Sequence, residues 1–259
     1  MDEHNKKIVD QFTKQAVPFT EKMTRNNTEE VIEIMLRASG ATAKDTVLDV
    51  ACGPGIVTCA FARAAKQVTG IDLTPAMIER ARALQEKEKL SNLEWKIGDV
   101  LPLSYADATF SIAVTRFSFH HFLNPEAVLH EMVRVTAPGG RVLVADVYTS
   151  EDSVQSEAYN RMEKLRDPSH VRALKLSELQ GILQNGGLQN IGTEFFKLEM
   201  EMEQQLSASF PNPGDDEVLR QIFRDDLKSQ TLGMETRLKE GNIYFSYPIA
   251  VITGKTMEK

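Results

Sequence analysis

Apolar and polar positions along this chain change period several times, and the changes divide it into segments. From Thr46 short apolar runs alternate with stretches whose apolar residues recur every three or four positions. TVLDVA reads as a buried strand, IVTCAFARAA as a helix and QVTGID as a second strand. Thr74 then caps a helix with Pro75 in its first turn and an apolar stripe of Met77, Ile78, Ala81 and Leu84. Leu93, Trp95 and Ile97 alternate as in a half-buried strand, and Phe110 to Thr115 forms another. Asn124 caps a helix starting at Pro125, whose face carries Val128, Leu129, Met132 and Val133. Pro138-Gly139-Gly140 breaks that helix, and RVLVADV follows as a strand.

Strand and helix alternating in this way specify βαβ units and a mostly parallel sheet with helices on both faces. The expected fold is α/β, Rossmann-like and doubly wound. Ligands of such sheets sit beyond the carboxyl ends of the strands, so residues there are the first to consider.

The rhythm differs outside this core, which spans residues 40–150. Residues 1–38 predict a helical arm, with Asn27-Thr28-Glu29-Glu30 opening one helix. QFTKQAVPFT, around Pro18, is too broken for a long helix and too apolar for a linker. Its Phe12 and Phe19 either pin the arm to the core or close as a flap over a ligand, lining the acceptor's pocket. Beyond Val147, helices are expected over Ser153–Arg166 and Ser177–Gln184, and strands over Ile191–Met200 and Asn242–Thr253. Residues 203–232 predict a small helical cap between the last two strands of a single domain. The Phe and Met residues scattered there read as core, or as the wall of a pocket for a flat apolar acceptor.

Composition narrows the partners. The 259 residues are 42% hydrophobic and carry a net charge of -7. That amount suffices for one domain with a full core, and the acidic balance argues against nucleic acid. Cys52 and Cys59 match neither a zinc site nor a disulfide framework, and no metal is expected. The polar start MDEHNKKIVD and the lack of a long apolar run predict a cytoplasmic protein with no membrane span.

The chemistry gathers at strand ends. Gly53 and Gly55 open a strand-to-helix turn where a side chain would block close approach, although Thr58 stands where a dinucleotide fingerprint has its third glycine. Asp72 ends the second strand and can accept from both hydroxyls of a ribose. Asp99 follows the third strand and can accept from an adenine amino group, with Leu73 and Val100 over the ring faces. Met77 joins these as a cofactor-site candidate. No Walker lysine is present, so the ligand carries adenosine without phosphates.

Four stretches, VLDVACGPG, VTGIDLTPAMIERAR, GDVLPL and FHHFLNPEAVLHEMVRVTAPGGRVLVAD, occur in order. They resemble the successive motifs of class I S-adenosylmethionine-dependent methyltransferases, similar to the ubiquinone/menaquinone C-methyltransferase group. The resemblance implies a seven-stranded sheet with its last strand antiparallel. It implies that Asp49, Ala51, Gly53 and Gly55 lie under the methionine part of S-adenosylmethionine, with Asp72 at the ribose and Asp99 and Val100 at the adenine. S-Adenosylhomocysteine would be the product. Ala51 departs from the glycine many members carry there.

In-line methyl transfer asks the protein to orient a nucleophile and remove its proton if needed. His120 and His121 follow the fourth strand, and either could be that base or merely cap the next helix. Arg116 could meet the cofactor carboxylate, bind an anionic substrate or face solvent. Tyr148, His170 and Arg172 are candidates for the acceptor pocket. A small aromatic or apolar acceptor fits best. The alternatives are a tRNA or protein methyltransferase and a non-catalytic S-adenosylmethionine-binding partner protein.

Overall fold

The computed structural model describes residues 2–25 and 28–258, and the side chains of residues 2–16 and 29–258. An arm of two helices, α1 (Glu3–Arg25) and α2 (Thr28–Ser39), precedes the alternating core. The core runs β1 (Thr46–Val50), α3 (Ile56–Ala62), β2 (Gln67–Asp72), α4 (Pro75–Glu88), β3 (Leu93–Ile97), β4 (Phe110–Arg116), α5 (Pro125–Val135) and β5 (Thr136–Val147). Then come α6 (Ser153–Arg166), α7 (Leu176–Asn185), β6 (Gln189–Glu201), α8 (Met202–Ser207), α9 (Asp215–Ser229), β7 (Arg237–Lys239) and β8 (Asn242–Lys255).

The sheet order is β3-β2-β1-β4-β5-β8-β6, with β7 paired to β8. β1 to β5 are mutually parallel, and β8 runs antiparallel to both β5 and β6. The mostly parallel Rossmann-like sheet with an antiparallel last strand is thus present; the three-residue β7 is an eighth strand, paired to the start of β8 at Asn242–Tyr244. Order reverses between β1 and β4, which opens a crevice beyond their carboxyl ends.

Side-chain alternation in the strands builds the two layers. Val47 and Leu143 face the layer of Met35, Phe61 and Phe245, whereas their neighbours Leu48 and Val144 face that of Leu129 and Met132. Trp95 forms a smaller cluster with Ile78, Ala81 and both cysteines.

Two local expectations are corrected. QFTKQAVPFT lies inside the continuous α1, despite Pro18. Gln11, Gln15 and Ala16 of that helix are buried and Gln11 Nε2 donates to the Phe210 carbonyl, so docking outweighs local propensity. Pro138-Gly139-Gly140 lies within β5 rather than ahead of it, at a register shift between Phe110 and Ile112. An irregular ladder tolerates proline because no regular donor is required there. Asn27, expected at the start of α2, lies outside the described residues. α8 and α9 occupy the stretch of residues 203–232 between β6 and β8. No helix among the described residues is long and apolar enough to cross a membrane.

Candidate active site

The β1–α3 turn shapes the first cavity, of about 230 Å³. Ala51 and Gly53 both take left-handed backbone angles, φ +55° and +53°. For alanine this conformation costs about 1 kcal/mol. A Cβ on Gly53 would meet no atom within 4 Å, and Gly53 lines the cavity. Gly55 does something else. At φ +81° a Cβ there would stand 2.6 Å from Trp95 and 2.8 Å from the Ala81 side chain. Gly55 is absent from the cavity wall and instead lets α3 close onto the Trp95 cluster, supporting the turn from behind.

Asp72 ties that turn to the next. Its Oδ2 accepts from the Gly53 N–H at 2.8 Å and its Oδ1 from the Thr74 N–H at 2.8 Å. Each oxygen keeps a lone pair for a further donor. Burial raises the Asp72 carboxyl above its ordinary value. Asp49 lies deeper in the wall, where burial pushes it to about 7 against the Thr58 hydroxyl bond of 2.6 Å. Leu73, Met77, Asp99 and Val100 also line this cavity. Asp99 is exposed, and the Asn5 amide of α1 donates to its Oδ2 at 2.7 Å.

Arg116 ends β4 on the same cavity, its guanidinium 4.8 Å from the centre of the Phe117 ring. Burial draws it down to about 10, opposed by Asp49. Its Nη1 is buried and meets no hydrogen-bond partner among the described residues. An open turn at Gly53, spare carboxylate lone pairs at Asp72 and an orphaned guanidinium nitrogen together fit an amino-acid nucleoside such as S-adenosylmethionine.

After β4 the chain turns at Phe117, φ +53°, into a short 3-10 turn, Phe119–His121. Asp146, near the end of β5, fastens it. Its Oδ2 accepts from the Ser118 and Phe119 N–H groups, and its Oδ1 from the Val147 N–H and His120 Nδ1 at 2.6 Å. Burial draws the His120 imidazole down, but the Asp146 carboxylate outweighs it, so His120 holds its proton above the ordinary histidine range. His121 is its opposite. Burial and the neighbouring His120 lower it to about 4, and its Nδ1 lies 3.1 Å from the Ser169 carbonyl.

A second cavity, of about 110 Å³, adjoins the first and shares Phe12, Phe117 and His121 with it. His120 lines the second. So do Tyr159, Glu163, Arg166 and Asp167 of α6 and its end, and Tyr247 of β8. Arg166 Nη2 donates to Glu163 at 2.6 Å and Tyr247 donates to the same carboxylate at 2.9 Å. Burial raises Asp167, but His121, Arg166 and the Ser169 donors hold its carboxyl well below the usual range.

The candidates for acceptor contact scatter. Phe12 stands edge-on to His121 at 5.0 Å and walls both cavities. The Phe19 side chain lies outside the described ones. Tyr148 packs on Phe195 at 6.0 Å and lines neither cavity. Arg172 is exposed and pairs with Glu178. His170 is buried behind His120, rings 5.5 Å apart, with its Nε2 on the Asn160 side chain at 2.8 Å. Tyr148, His170 and Arg172 therefore line neither cavity, because packing and ion pairs hold them elsewhere. Asn5, Asp146, Tyr159, Glu163 and Tyr247 were not among the residues the sequence pointed to. Only Asp146, an acid ending a strand like Asp49 and Asp72, carried a signal.

The strand order, the glycine turn and the acids at successive strand ends define a class I S-adenosylmethionine-dependent methyltransferase. Residues 48–144 match the profile of the methyltransferase domain. The uncharacterized methyltransferase YcgJ of Bacillus subtilis is 32% identical over 171 residues, which cover 66% of this chain and 67% of that one. Its crystal structure superposes with a TM-score of 0.82 and 25% identity, covering 89% of this chain and all of the other. The ubiquinone/menaquinone biosynthesis C-methyltransferase UbiE of Roseobacter denitrificans is 30% identical over 131 residues, 49% of this chain and 52% of its own. The O-methyltransferase cnsE of Penicillium expansum is 28% identical over 183 residues, 68% of this chain and 65% of its own. The chain belongs to this methyltransferase family.

Proposed function

We propose that this enzyme methylates the hydroxyl oxygen of a small phenol or enol, with S-adenosylmethionine in the first cavity and the acceptor in the second. When bound, S-adenosylmethionine supplies a methyl group on a sulfonium, which leaves as S-adenosylhomocysteine. Asp72 would accept from the ribose hydroxyls, Leu73, Met77 and Val100 would flank the adenine, and Asp99 would reach its amino group. Asp49 and the Ala51–Gly53 turn would lie under the methionine amine, and Arg116 would pair with its carboxylate.

One observation carries the acceptor chemistry: His120 lines the second cavity while its other ring nitrogen is held by Asp146. If Nδ1–H donates to Asp146, Nε2 keeps its lone pair and takes the acceptor's proton as the new oxygen–methyl bond forms. Asp146 fixes that tautomer and steadies the resulting imidazolium, raising the basicity of His120. His121, poorly basic, separates the two cavities with Phe117 and Phe12. A cavity near 110 Å³ suits one ring rather than a macromolecular side chain and its backbone. The resemblance to an O-methyltransferase in cnsE agrees with oxygen as the nucleophile.

Incubation with S-adenosylmethionine labelled in its methyl group and a series of monocyclic phenols tests the reading. Label should appear in a methyl ether. Label found only on carbon or nitrogen of other acceptors would overturn the assignment.

A further inference from the structure

The second cavity contains a hydroxyl with nothing to bind. Tyr159 is 2% exposed, lines this cavity, and its buried hydroxyl has no hydrogen-bond partner among the described residues. A buried hydroxyl left unpaired carries its full desolvation cost, so a ligand that pairs it gains. Nearby Arg166 adds further donors. Its Nε and Nη2 bond to Glu163 and its Nη1 to the Ser209 hydroxyl. A guanidinium has five N–H groups, so two remain.

The acceptors on the same wall are engaged. Glu163 receives Arg166 and Tyr247, and Asp167 receives Gln15, the Ser169 hydroxyl and the Ser169 N–H. The wall therefore offers donors and asks for an acceptor atom. Charge excludes one kind. The Glu163 and Asp167 carboxylates on this wall outnumber the single guanidinium of Arg166, which disfavours an anionic carboxylate ligand. An ammonium would meet the leftover donors and leave them unpaired. A neutral carbonyl oxygen satisfies both conditions.

We infer that Tyr159 is a specificity-determining residue that donates to a carbonyl oxygen of the acceptor, whose substrate class is a compact neutral hydroxy-carbonyl ring compound. This rests on the proposed phenol or enol methylation. The hydroxyl loses its proton to His120 and gains the methyl group, while the carbonyl is unchanged and only orients the ring.

The test compares 3- and 4-hydroxyacetophenone with 3- and 4-ethylphenol, which have the same skeletons without the carbonyl oxygen. Wild-type kcat/KM should favour the ketones by about tenfold or more. Tyr159→Phe should erase most of that preference by lowering the ketone rates far more than the ethylphenol rates, with S-adenosylhomocysteine affinity retained. Equal wild-type rates for ketones and ethylphenols overturn the inference and leave phenol methylation standing, whatever the stability of the variant. An undiminished preference in a folded Tyr159→Phe does the same. No methylation of either pair by protein that binds S-adenosylhomocysteine overturns the phenol reading, and this inference falls with it.

Discussion

His120 Nδ1 and Asp146 Oδ1 are 2.6 Å apart, the first from the turn that follows β4 and the second from the end of its parallel neighbour β5. The pairing exists because β4 and β5 run side by side and the 3-10 turn folds back over β5. The same carboxylate holds the N–H groups of Ser118 and Phe119, so the base and the loop that carries it share one anchor.

Replacing His120 with Gln should lower kcat by about 10²–10⁴ while leaving S-adenosylhomocysteine affinity intact. His121→Gln, which removes a weakly basic wall residue, should cost less than about tenfold. Single-turnover rates with labelled cofactor distinguish the two, and the opposite ranking would move the base to His121.

The pH profile follows from the same pair. A base must be deprotonated to act, so with His120 held above the ordinary histidine value the acid limb of kcat should fall above about pH 6.5. Asp146→Asn removes the anion but leaves the burial, which lowers histidine basicity. The limb should then shift to lower pH while kcat on the plateau drops. A plateau loss with an unmoved limb would mean that Asp146 only holds the loop.

Gly55→Ala places a methyl group against Trp95 and Ala81 in a left-handed backbone. The expected cost is about 2–4 kcal/mol, or about 5–10 °C in melting temperature. Gly53→Ala puts its methyl group into open space, so its folded-state penalty is the backbone term alone. Cofactor affinity should nevertheless drop, because that space lies in the cofactor cavity. Calorimetry and thermal melts of both variants separate the packing glycine from the approach glycine.

α1 walls the first cavity through Asn5, Ile8 and Phe12, and its His4 Nε2 lies 2.8 Å from the His121 carbonyl. Deleting residues 1–16 should weaken S-adenosylhomocysteine binding by about tenfold or more, consistent with loss of apolar cover and of two polar contacts. Fluorescence titration of the truncated chain checks this. Unchanged affinity would make the helix a strap on the outside of the domain.

The parts legible in the sequence were those set by local pattern. The short apolar runs TVLDV and QVTGID marked β1 as a buried strand and β2 as a second one, and the strand-end rule pointed to Asp72, Asp99 and the histidines. What escaped notice depends on contacts between distant segments. Tyr159 and Glu163 belong to α6, while Tyr247 lies 84 residues past Glu163 on β8. No period in the chain announces that they share a cavity. Gly55 and Gly53 look alike in VLDVACGPG, and only Trp95, brought in by β3, shows that one serves packing. His170 and Arg172, read from the sequence as acceptor candidates, are held instead by Asn160 and Glu178, contacts that no local pattern shows.

The most direct measurement is calorimetric titration of S-adenosylhomocysteine into the wild type, Asp72→Ala and His120→Gln, with NAD as control. Micromolar binding by the wild type and by His120→Gln, a loss of about tenfold or more in Asp72→Ala, and silence with NAD are the predicted results. Wild-type protein that ignores S-adenosylhomocysteine, or Asp72→Ala that binds it as tightly, would contradict the placement of the cofactor in the first cavity.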